Sequence, residues 1–197
     1  HLQVITDMCD YNNQTSLKKF LRDNLNELDD LLNLISETGE VSNEKKSKVL
    51  TLGEILSSNI IYEILRQKGL DISHIDSREL IFTKDSNSNI QLDDEKTSDS
   101  IDRIVGSIKS KLIISPGYIC SNQEGKTSNL GRGGSDYSAA IYAKYLNAKV
   151  LEIWTDVSGV FSANPKIVKN ASPIAYLSYK EAMELSFFGA KVIYFPT

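Results

Sequence analysis

The glycine-rich segment 130–136 constrains the fold more than any other part of the sequence. It runs Leu-Gly-Arg-Gly-Gly-Ser-Asp, between an apolar region typical of a strand and a segment, 135–147, whose apolar residues have helical spacing. Five of the 11 glycines of the chain lie between residues 117 and 134. Because glycine lets the backbone turn or approach a neighbour without a side-chain clash, this clustering predicts a tight strand-to-helix turn.

Such a turn is also a candidate anion site. Ser135 or Asp136 is expected to cap the helix, and the free amides of its first turn attract negative charge. Arg132 adds a guanidinium fork suited to a carboxylate or a phosphate. The same residues also fit a capped helix after a plain turn, with Arg132 simply exposed to solvent.

Two long amphipathic helices are predicted before the glycine-rich segment, over 15–37 and 43–68, ended by Gly39 and Gly69. Gly53 inside the second helix costs about 1 kcal/mol relative to alanine, so a compensating role is expected for it. Residues 83–100 are polar and are interpreted as a surface excursion with a short edge strand. The remaining predicted elements are a helix over 100–110, a strand over 111–115, a helix over 135–147, a strand over 148–154, a helix over 178–188 and a strand over 192–195.

This alternation of strands and helices predicts an α/β fold, a three-layer α/β/α sandwich with a mostly parallel central sheet. With 197 residues, and about 150 residues per domain, one domain is expected. Residues 1–13 contain no strand followed by a glycine loop, so either the first strand unit of the fold is missing or the topology is unusual.

Composition excludes several functions. The chain has 26 acidic and 22 basic residues, which argues against a nucleic-acid partner. No segment approaches the roughly 18 apolar residues of a membrane span, and no signal peptide is apparent, so a cytoplasmic location is expected. Cys9, Cys120, His1 and His74 lack the spacing of a zinc site or a disulfide framework, and no protein metal site is predicted.

A second group of polar residues follows the strand predicted over 148–154. Thr155 and Asp156 come where that strand is expected to end, and ligands of open α/β sheets bind at the carboxyl ends of strands. Asp156 could face a ribose hydroxyl, Phe161 a base ring and Lys166 a phosphate. The alternative is an Asp-initiated turn with a buried Phe161 and a solvated Lys166.

Two partial motifs do not qualify as nucleotide sites. Gly125-Lys126-Thr127 resembles the end of a Walker A loop, but Cys120 occupies the position of its first glycine. Gly131 and Gly133 match part of a dinucleotide fingerprint whose third glycine is replaced by Asp136.

Several motifs together resemble the aspartokinase family of the amino-acid kinase superfamily. They are GRGGSD at 131–136, TDVSGV at 155–160 and GAKV at 189–192, preceded by TLGEILS at 51–57, DSR at 76–78 and ISPGYI at 114–119. The stretches around them are most similar to the kinase half of bifunctional aspartokinase/homoserine dehydrogenases.

The resemblance implies that MgATP phosphorylates the side-chain carboxylate of L-aspartate, giving 4-phospho-L-aspartate on the route to lysine, threonine and methionine. It implies that Glu54, Arg132 and Ser135 bind aspartate, and that Asp136 lies near the transferring phosphoryl group. It further implies the following nucleotide-binding residues, of which the last lies close to the phosphates and is catalytic: Thr155, Asp156, Phe161, Lys166 and Lys191.

The chain departs from the family pattern in several places. The N-terminal strand with its Lys-Phe-Gly-Gly loop and the regulatory domains are not found, so a partial catalytic domain is expected, with a helical part over 1–48 and a motif-bearing part over 49–197. We expect such a piece to be inactive alone and the whole protein to be a homo-oligomer. Phe161 replaces a tyrosine, and Lys166 replaces an arginine, which keeps the charge but loses the fork.

Two other functions remain open. One is a different kinase of the superfamily that forms an acyl phosphate, such as an acetylglutamate-type enzyme. The other is a non-catalytic amino-acid sensor, because Glu54 and Arg132 would also suit binding without turnover.

Overall fold

Helices dominate the first third of the chain in the computed structural model, which describes residues 1–85 and 90–187. They are α1 (Leu2–Met8), α2 (Tyr11–Thr38) and α3 (Asn43–Gln67). The two predicted long helices are thus confirmed, α2 beginning earlier than expected. Gly39 and Gly69 follow them with φ of 68° and 80°, the left-handed geometry in which a glycine ends a helix.

The three helices share one apolar core. Ile5 and Cys9 lie against the first half of α2 and the second half of α3. Leu25 and Leu32, in the second half of α2, are exposed. Residues 1–40 therefore supply core packing in their first half, whereas the second half of α2 leaves apolar surface open. The buried members of this helical core are Ile5, Cys9, Leu17, Leu21, Leu56, Ile60 and Ile64.

The strands are short and pair two by two. β1 and β4 are parallel, β2 and β3 are antiparallel, and β5 and β6 are antiparallel. A parallel bridge between Phe82 and Ser121 joins the region of β2 to β5. The α/β class is confirmed, and the strand predicted over 111–115 is present as β4, which pairs in parallel with β1. The strand bounds are β1 (Ile72–His74), β2 (Thr83–Asp85), β3 (Ile90–Leu92), β4 (Leu112–Ile114), β5 (Ile119–Ser121) and β6 (Thr127–Asn129).

Helix α4 (Asp94–Val105) begins within the segment that the sequence assigned to a polar surface excursion. Asp93 caps it by accepting a hydrogen bond from the Lys96 amide at 3.3 Å. Thr97 is fully buried, and its hydroxyl accepts a hydrogen bond from the Phe82 amide at 3.0 Å. The predicted bounds of 100–110 are wrong because a polar residue is buried here through its hydrogen bonds to a neighbouring chain segment.

A second core lies between α4, the strands and α5 (Gly134–Tyr145). Cys120 is fully buried in it, and Cys9 and Cys120 are free thiols in different cores. The α/β core therefore lies directly beneath the glycine-rich segment. Its buried members are Ile75, Leu80, Ile81, Ile101, Cys120, Leu130 and Ile141.

The strand predicted over 148–154 is wrong. These residues form no ladder within the described parts of the chain, and Trp154 is 89% exposed. A strand needs a hydrogen-bonding neighbour, and the described residues offer none at this position. The predicted helix near the end is confirmed as α6 (Tyr179–Phe187), whereas the strand predicted over 192–195 lies outside the described residues. Among the described helices, none has the length and apolar character needed to cross a membrane.

Candidate active site

A cavity of about 340 Å³ lies where the helical core meets the α/β core. Helix α3 forms one wall, and the glycine-rich segment with the start of α5 forms the other. These walls carry four of the site residues predicted from the sequence, namely Glu54, Arg132, Ser135 and Asp136. The lining residues are Leu50, Glu54, Tyr118, Gly131, Arg132, Gly133, Gly134, Ser135 and Asp136.

The glycine-rich segment turns through two left-handed residues. Gly131 and Gly133 have φ of 73° and 69°, values that side chains with a Cβ rarely adopt. The Gly131 amide donates to Asn129 Oδ1 at 3.0 Å, and the Gly134 amide donates to the Gly131 carbonyl at 3.1 Å. The predicted tight turn into a helix is therefore confirmed.

The expected side-chain cap of α5 is wrong. Gly133 is the N-cap residue, and it has no side chain to accept a hydrogen bond. Because α5 begins at Gly134, Ser135 and Asp136 lie inside its first turn and line the cavity instead. Asp136 is then an acidic residue in the first turn of the helix, close to the positive end of the helix dipole.

Glycines also bring a second loop close to the helix. A Cβ on Gly134 would lie 2.9 Å from Cδ2 of Tyr118, and one on Gly117 would lie 3.1 Å from Cα of Ser135. Ser138 Oγ joins the two segments, because it accepts from the Tyr118 amide at 2.8 Å and donates to the Gly134 carbonyl at 2.7 Å. This close packing fixes the Tyr118 ring at the edge of the cavity.

Glu54 reaches the cavity from α3. Leu50, one turn earlier, lies on the same helix face and lines the same wall. Gly53 is exposed, and a Cβ built on it would meet nothing within 4 Å. Packing within the described residues thus gives no reason for a glycine at this position.

Among the described residues, the charged groups of the cavity have no protein partner. In the described ranges, 1–85 and 90–187, no hydrogen bond or ion pair engages the side chains of Glu54, Arg132 or Asp136. Glu54 and Asp136 are half-buried and Arg132 is exposed. Two carboxylates and a guanidinium around one small cavity can bind a ligand that carries both an ammonium and a carboxylate group.

A larger cleft of about 610 Å³ lies between α2 and α3 and is bordered by Asp76 and Arg78. Here Asp76 and Arg78 form an ion pair with each other. Arg78 Nε donates to both oxygens of Asp76, at 3.0 and 2.9 Å, and Arg78 Nη1 donates to Thr127 Oγ1 at 3.1 Å. Asp76 also caps a short 3-10 helix at Ser77–Glu79. The bonds of the DSR motif thus stabilise the loop after β1.

His74 borders the same cleft. Burial lowers the pKa of its imidazole, and Asp76 and Glu79 only partly oppose this shift. Its Nε2 lies 3.1 Å from Ser58 Oγ, and its ring lies 5.7 Å from the ring of Tyr62. These contacts lock β1 onto α3.

A family model described as the amino acid kinase family matches residues 12–196. The chain belongs to the amino acid kinase family. In a structural comparison, Escherichia coli aspartokinase III in complex with aspartate and ADP superimposes with a TM-score of 0.86 and 27% identity, covering 98% of this chain and 42% of that one. An aspartate kinase from Clostridium acetobutylicum is 34% identical with a TM-score of 0.64, over 76% of this chain and 33% of that one.

Curated relatives within the family carry aspartokinase names. A bifunctional aspartokinase/homoserine dehydrogenase from Buchnera aphidicola is 36% identical over 179 residues, which is 90% of this chain and 22% of the relative. The lysine-sensitive aspartokinase 3 of Escherichia coli is 33% identical over 85% of this chain and 39% of its own length. The chain thus spans well under half the length of these relatives.

Four of the expected nucleotide residues are described by the structure, and none of the four lines the 340 Å³ cavity. Thr155, Asp156 and Lys166 are exposed, and Phe161 is half-buried. Thr155 Oγ1 donates to Asp156 Oδ1 at 3.2 Å, and the Lys166 amide donates to Asn164 Oδ1 at 3.0 Å. Lys191 lies outside the described residues.

Phe161 pairs with Pro173 in an isolated antiparallel bridge, so the segment around it folds back on itself. The hydrogen bonds of this segment join its own residues, as from the Ser162 amide to the Ser172 carbonyl at 2.9 Å. Gly125 and Lys126, in contrast, form the turn of the β5–β6 hairpin, with Gly125 at a φ of 75°. The exclusion of a Walker A loop there is confirmed, because no helix follows the turn.

Sequence reasoning missed two residues of the cavity wall. Leu50 could have been found from its spacing of four residues from Glu54 on a predicted helix. Tyr118 could not, because it reaches the cavity through a positive φ of 70° and through the contacts that Gly117 and Gly134 allow.

Proposed function

We propose that this chain forms the aspartate-binding part of an aspartokinase, which transfers the γ-phosphoryl group of ATP to the side-chain carboxylate of L-aspartate. One observation carries the proposal. Glu54, Arg132, Ser135 and Asp136 line one cavity, and the charged groups among them have no partner in the described residues. The likeness to an aspartokinase captured with aspartate and ADP supports it.

The amino-acid substrate has one ammonium and two carboxylate groups, and the cavity offers complementary charges. Glu54 accepts hydrogen bonds from the ammonium, and Arg132 binds a carboxylate through two parallel N–H bonds. Ser135 adds a hydroxyl from the first turn of α5. The side-chain carboxylate of the substrate then remains free to react.

The reaction needs no nucleophile from the protein. An oxygen of the aspartate carboxylate forms a new bond to the γ-phosphorus, while the bond from that phosphorus to the bridging oxygen of ADP breaks. The protein aligns the two anions and offsets their charge. We assign the compensation of charge to the amides of the N-terminal turn of α5 and to Lys191 near the phosphates, and we place Asp136 beside the transferring phosphoryl group.

We place the nucleotide against the segment with Thr155, Asp156, Phe161 and Lys166, on the strength of the family resemblance. Among the described residues, no group of three acidic, histidine or cysteine side chains could hold a metal ion by itself. This fits Mg²⁺, which enters such sites with the substrate phosphates and needs only one or two carboxylates. Asp136 is the carboxylate of the cavity that suits this role, and the ion would offset phosphate charge.

We further propose that residues 1–48 and 49–197 are the helical and motif-bearing parts of one kinase domain. The 36% identity to a bifunctional relative supports the assignment of this chain to the kinase half of such an enzyme. The homo-oligomer and the cytoplasmic location stay predictions.

The test is a hydroxylamine assay on the protein at its natural length, with MgATP and L-aspartate, in which aspartyl phosphate is trapped as the hydroxamate. Loss of a charged hydrogen-bonding partner in Arg132→Ala should raise the aspartate KM by about 10- to 100-fold with little change in the ATP KM. Arg103→Ala, which removes an exposed arginine of α4, is the control and should change neither.

Three results would contradict the proposal. A normal aspartate KM in Arg132→Ala removes this residue from the site. Turnover of N-acetylglutamate in place of aspartate indicates a different acyl-phosphate kinase. Binding of aspartate without hydroxamate formation favours an amino-acid sensor.

A further inference from the structure

The side chain of Asn129 connects the two walls of the 340 Å³ cavity. Its Nδ2 donates to Ser47 Oγ at 3.0 Å, and its Oδ1 accepts from the Gly131 amide at 3.0 Å. A backbone N–H can only donate, so the carbonyl end of the amide must face Gly131 and the NH₂ end must face Ser47. One side chain thus bonds to α3 and to the glycine-rich segment at once.

Each bond ends beside a residue of the proposed aspartate site. Ser47 is buried on α3, about two turns before Glu54 and therefore on a similar helix face. Gly131 is the residue before Arg132. Asn129 itself lies in β6, where it pairs with Ile119 of β5, so its backbone is fixed to the α/β core.

A nearby ion pair also crosses between these elements but offers less restraint. Lys126 Nζ lies 3.4 Å from a carboxylate oxygen of Glu44, and the two side chains are 49% and 33% exposed. Exposed pairs of this kind contribute about 0–1 kcal/mol and weaken with salt. The Asn129 bonds are better shielded, since Ser47 is only 6% exposed.

We propose that Asn129 is a positioning residue that sets the spacing between the Glu54 carboxylate and the Arg132 guanidinium. This inference rests on the proposed function, because those two groups bind opposite charges of one small amino acid there. Without the Asn129 bonds, α3 and the glycine-rich segment can shift relative to each other, and the two charges no longer match the substrate. Nucleotide binding, assigned to another segment, does not depend on this spacing.

The test measures KM for aspartate and for ATP separately in the protein at its natural length. Asn129→Ala removes both bonds and should raise the aspartate KM about tenfold, the equivalent of about 1.4 kcal/mol, with the ATP KM changed less than about twofold. Ser47→Ala removes only the bond to α3 and should raise the aspartate KM by about threefold. A variant that is merely less stable would lose active enzyme and so lower the apparent kcat, leaving both KM values unchanged.

Asn122→Ala is the matched control. Asn122 Oδ1 accepts from the amides of Glu124 and Lys126 at 3.0 and 2.9 Å, so the variant also removes side-chain bonds to backbone, but at the far turn of the same hairpin. It should leave the aspartate KM unchanged. If Asn129→Ala does not fold, Ser47→Ala decides the matter.

Failure of this inference can be separated from failure of the proposed function. An active wild type whose aspartate KM is unchanged in Asn129→Ala and Ser47→Ala overturns the positioning role alone. If the wild type gives no hydroxamate, the aspartate dissociation constant from calorimetry replaces KM and is judged in the same way. A wild type that neither phosphorylates nor binds aspartate overturns both.

Discussion

The hydroxyl groups of Ser77, Ser115 and Tyr142 lie within hydrogen-bond distance of one another. The number of protons that they can donate predicts how much stability is lost when one hydroxyl is removed. Tyr142 Oη lies 2.8 Å from Ser77 Oγ and 3.1 Å from Ser115 Oγ, and the two serine oxygens are 2.8 Å apart. Ser77 also donates to the Pro116 carbonyl, and Ser115 donates to the Ile75 carbonyl at 2.9 Å. Both serine protons are directed at carbonyls, so only the Tyr142 proton can form a hydrogen bond among the three hydroxyl groups.

Tyr142→Phe removes that proton and leaves two protons for three contacts. With both serine protons directed at carbonyls, the oxygens of Ser77 and Ser115, which lie 2.8 Å apart, then have no donor from Tyr142 pointing at either of them. Ser77 is fully buried, so water cannot easily replace the missing bond. An unsatisfied buried polar group costs about 1–3 kcal/mol, and we expect the free energy of unfolding to fall by that amount.

The assay is urea unfolding of the folded protein, read as a change in midpoint at constant m value. Tyr145→Phe is the control, because Tyr145 lies on the same helix and its hydroxyl bonds to the exposed Asp94. We expect it to cost under about 0.5 kcal/mol. In a Ser77→Ala background the proton shortage disappears, so Tyr142→Phe should cost less there. If Tyr142→Phe costs no more than Tyr145→Phe, or costs the same with and without Ser77, the reasoning is refuted.

Three further predictions concern two glycines and a thiol. Gly53→Ala should stabilise the fold by about 0.5–1 kcal/mol in urea unfolding, because its Cβ meets open space. If the glycine keeps the approach to Glu54 open, the same variant should impair aspartate use, and unchanged aspartate kinetics would remove that role. Gly134→Ala should instead destabilise by about 1–3 kcal/mol, because its Cβ would lie 2.9 Å from Leu130 and Tyr118 atoms, and a neutral result would contradict the close packing. Burial raises the pKa of the Cys120 thiol from 9.0 to about 11. Its contribution to the free energy of unfolding is therefore complete below pH 9 and is lost as the pH rises towards 11, so the urea midpoint of the wild type should fall over this range. An equal fall in Cys120→Ala would contradict this.

Local patterns in the sequence predicted most of the helices and the glycine turn correctly. Helices α2 and α3 follow from apolar spacing, and Gly39 and Gly69 end them as a glycine at that position usually does. The grouping of Arg132, Ser135 and Asp136 needed only the turn itself, because these residues are neighbours in the chain. That Glu54 faces the same cavity came from the family resemblance, since no local pattern relates it to residue 132.

The errors have a common physical source in tertiary contacts. Thr97 is buried and forms hydrogen bonds to the backbone of Phe82. The polar segment around Thr97 gives no indication of these bonds in the sequence. Residues 148–154 are apolar enough for a strand but have no ladder partner in the described parts of the chain. The role of Asn129 was invisible for the same reason, because its two bonds reach a helix and a loop from distant parts of the sequence.

The cavity draws its two opposite charges from separate cores, and this has a consequence for affinity. Glu54 moves with the helical core through α3, whereas Arg132 moves with the α/β core through the glycine-rich segment. A protein whose binding-competent arrangement is only a fraction of the population has its apparent dissociation constant raised by the inverse of that fraction. Under the proposed function, any loosening between the cores therefore weakens amino-acid binding. Contacts that join the cores, such as Asn129 with Ser47 and His74 with Ser58, thus contribute to affinity although none of these side chains lines the 340 Å³ cavity.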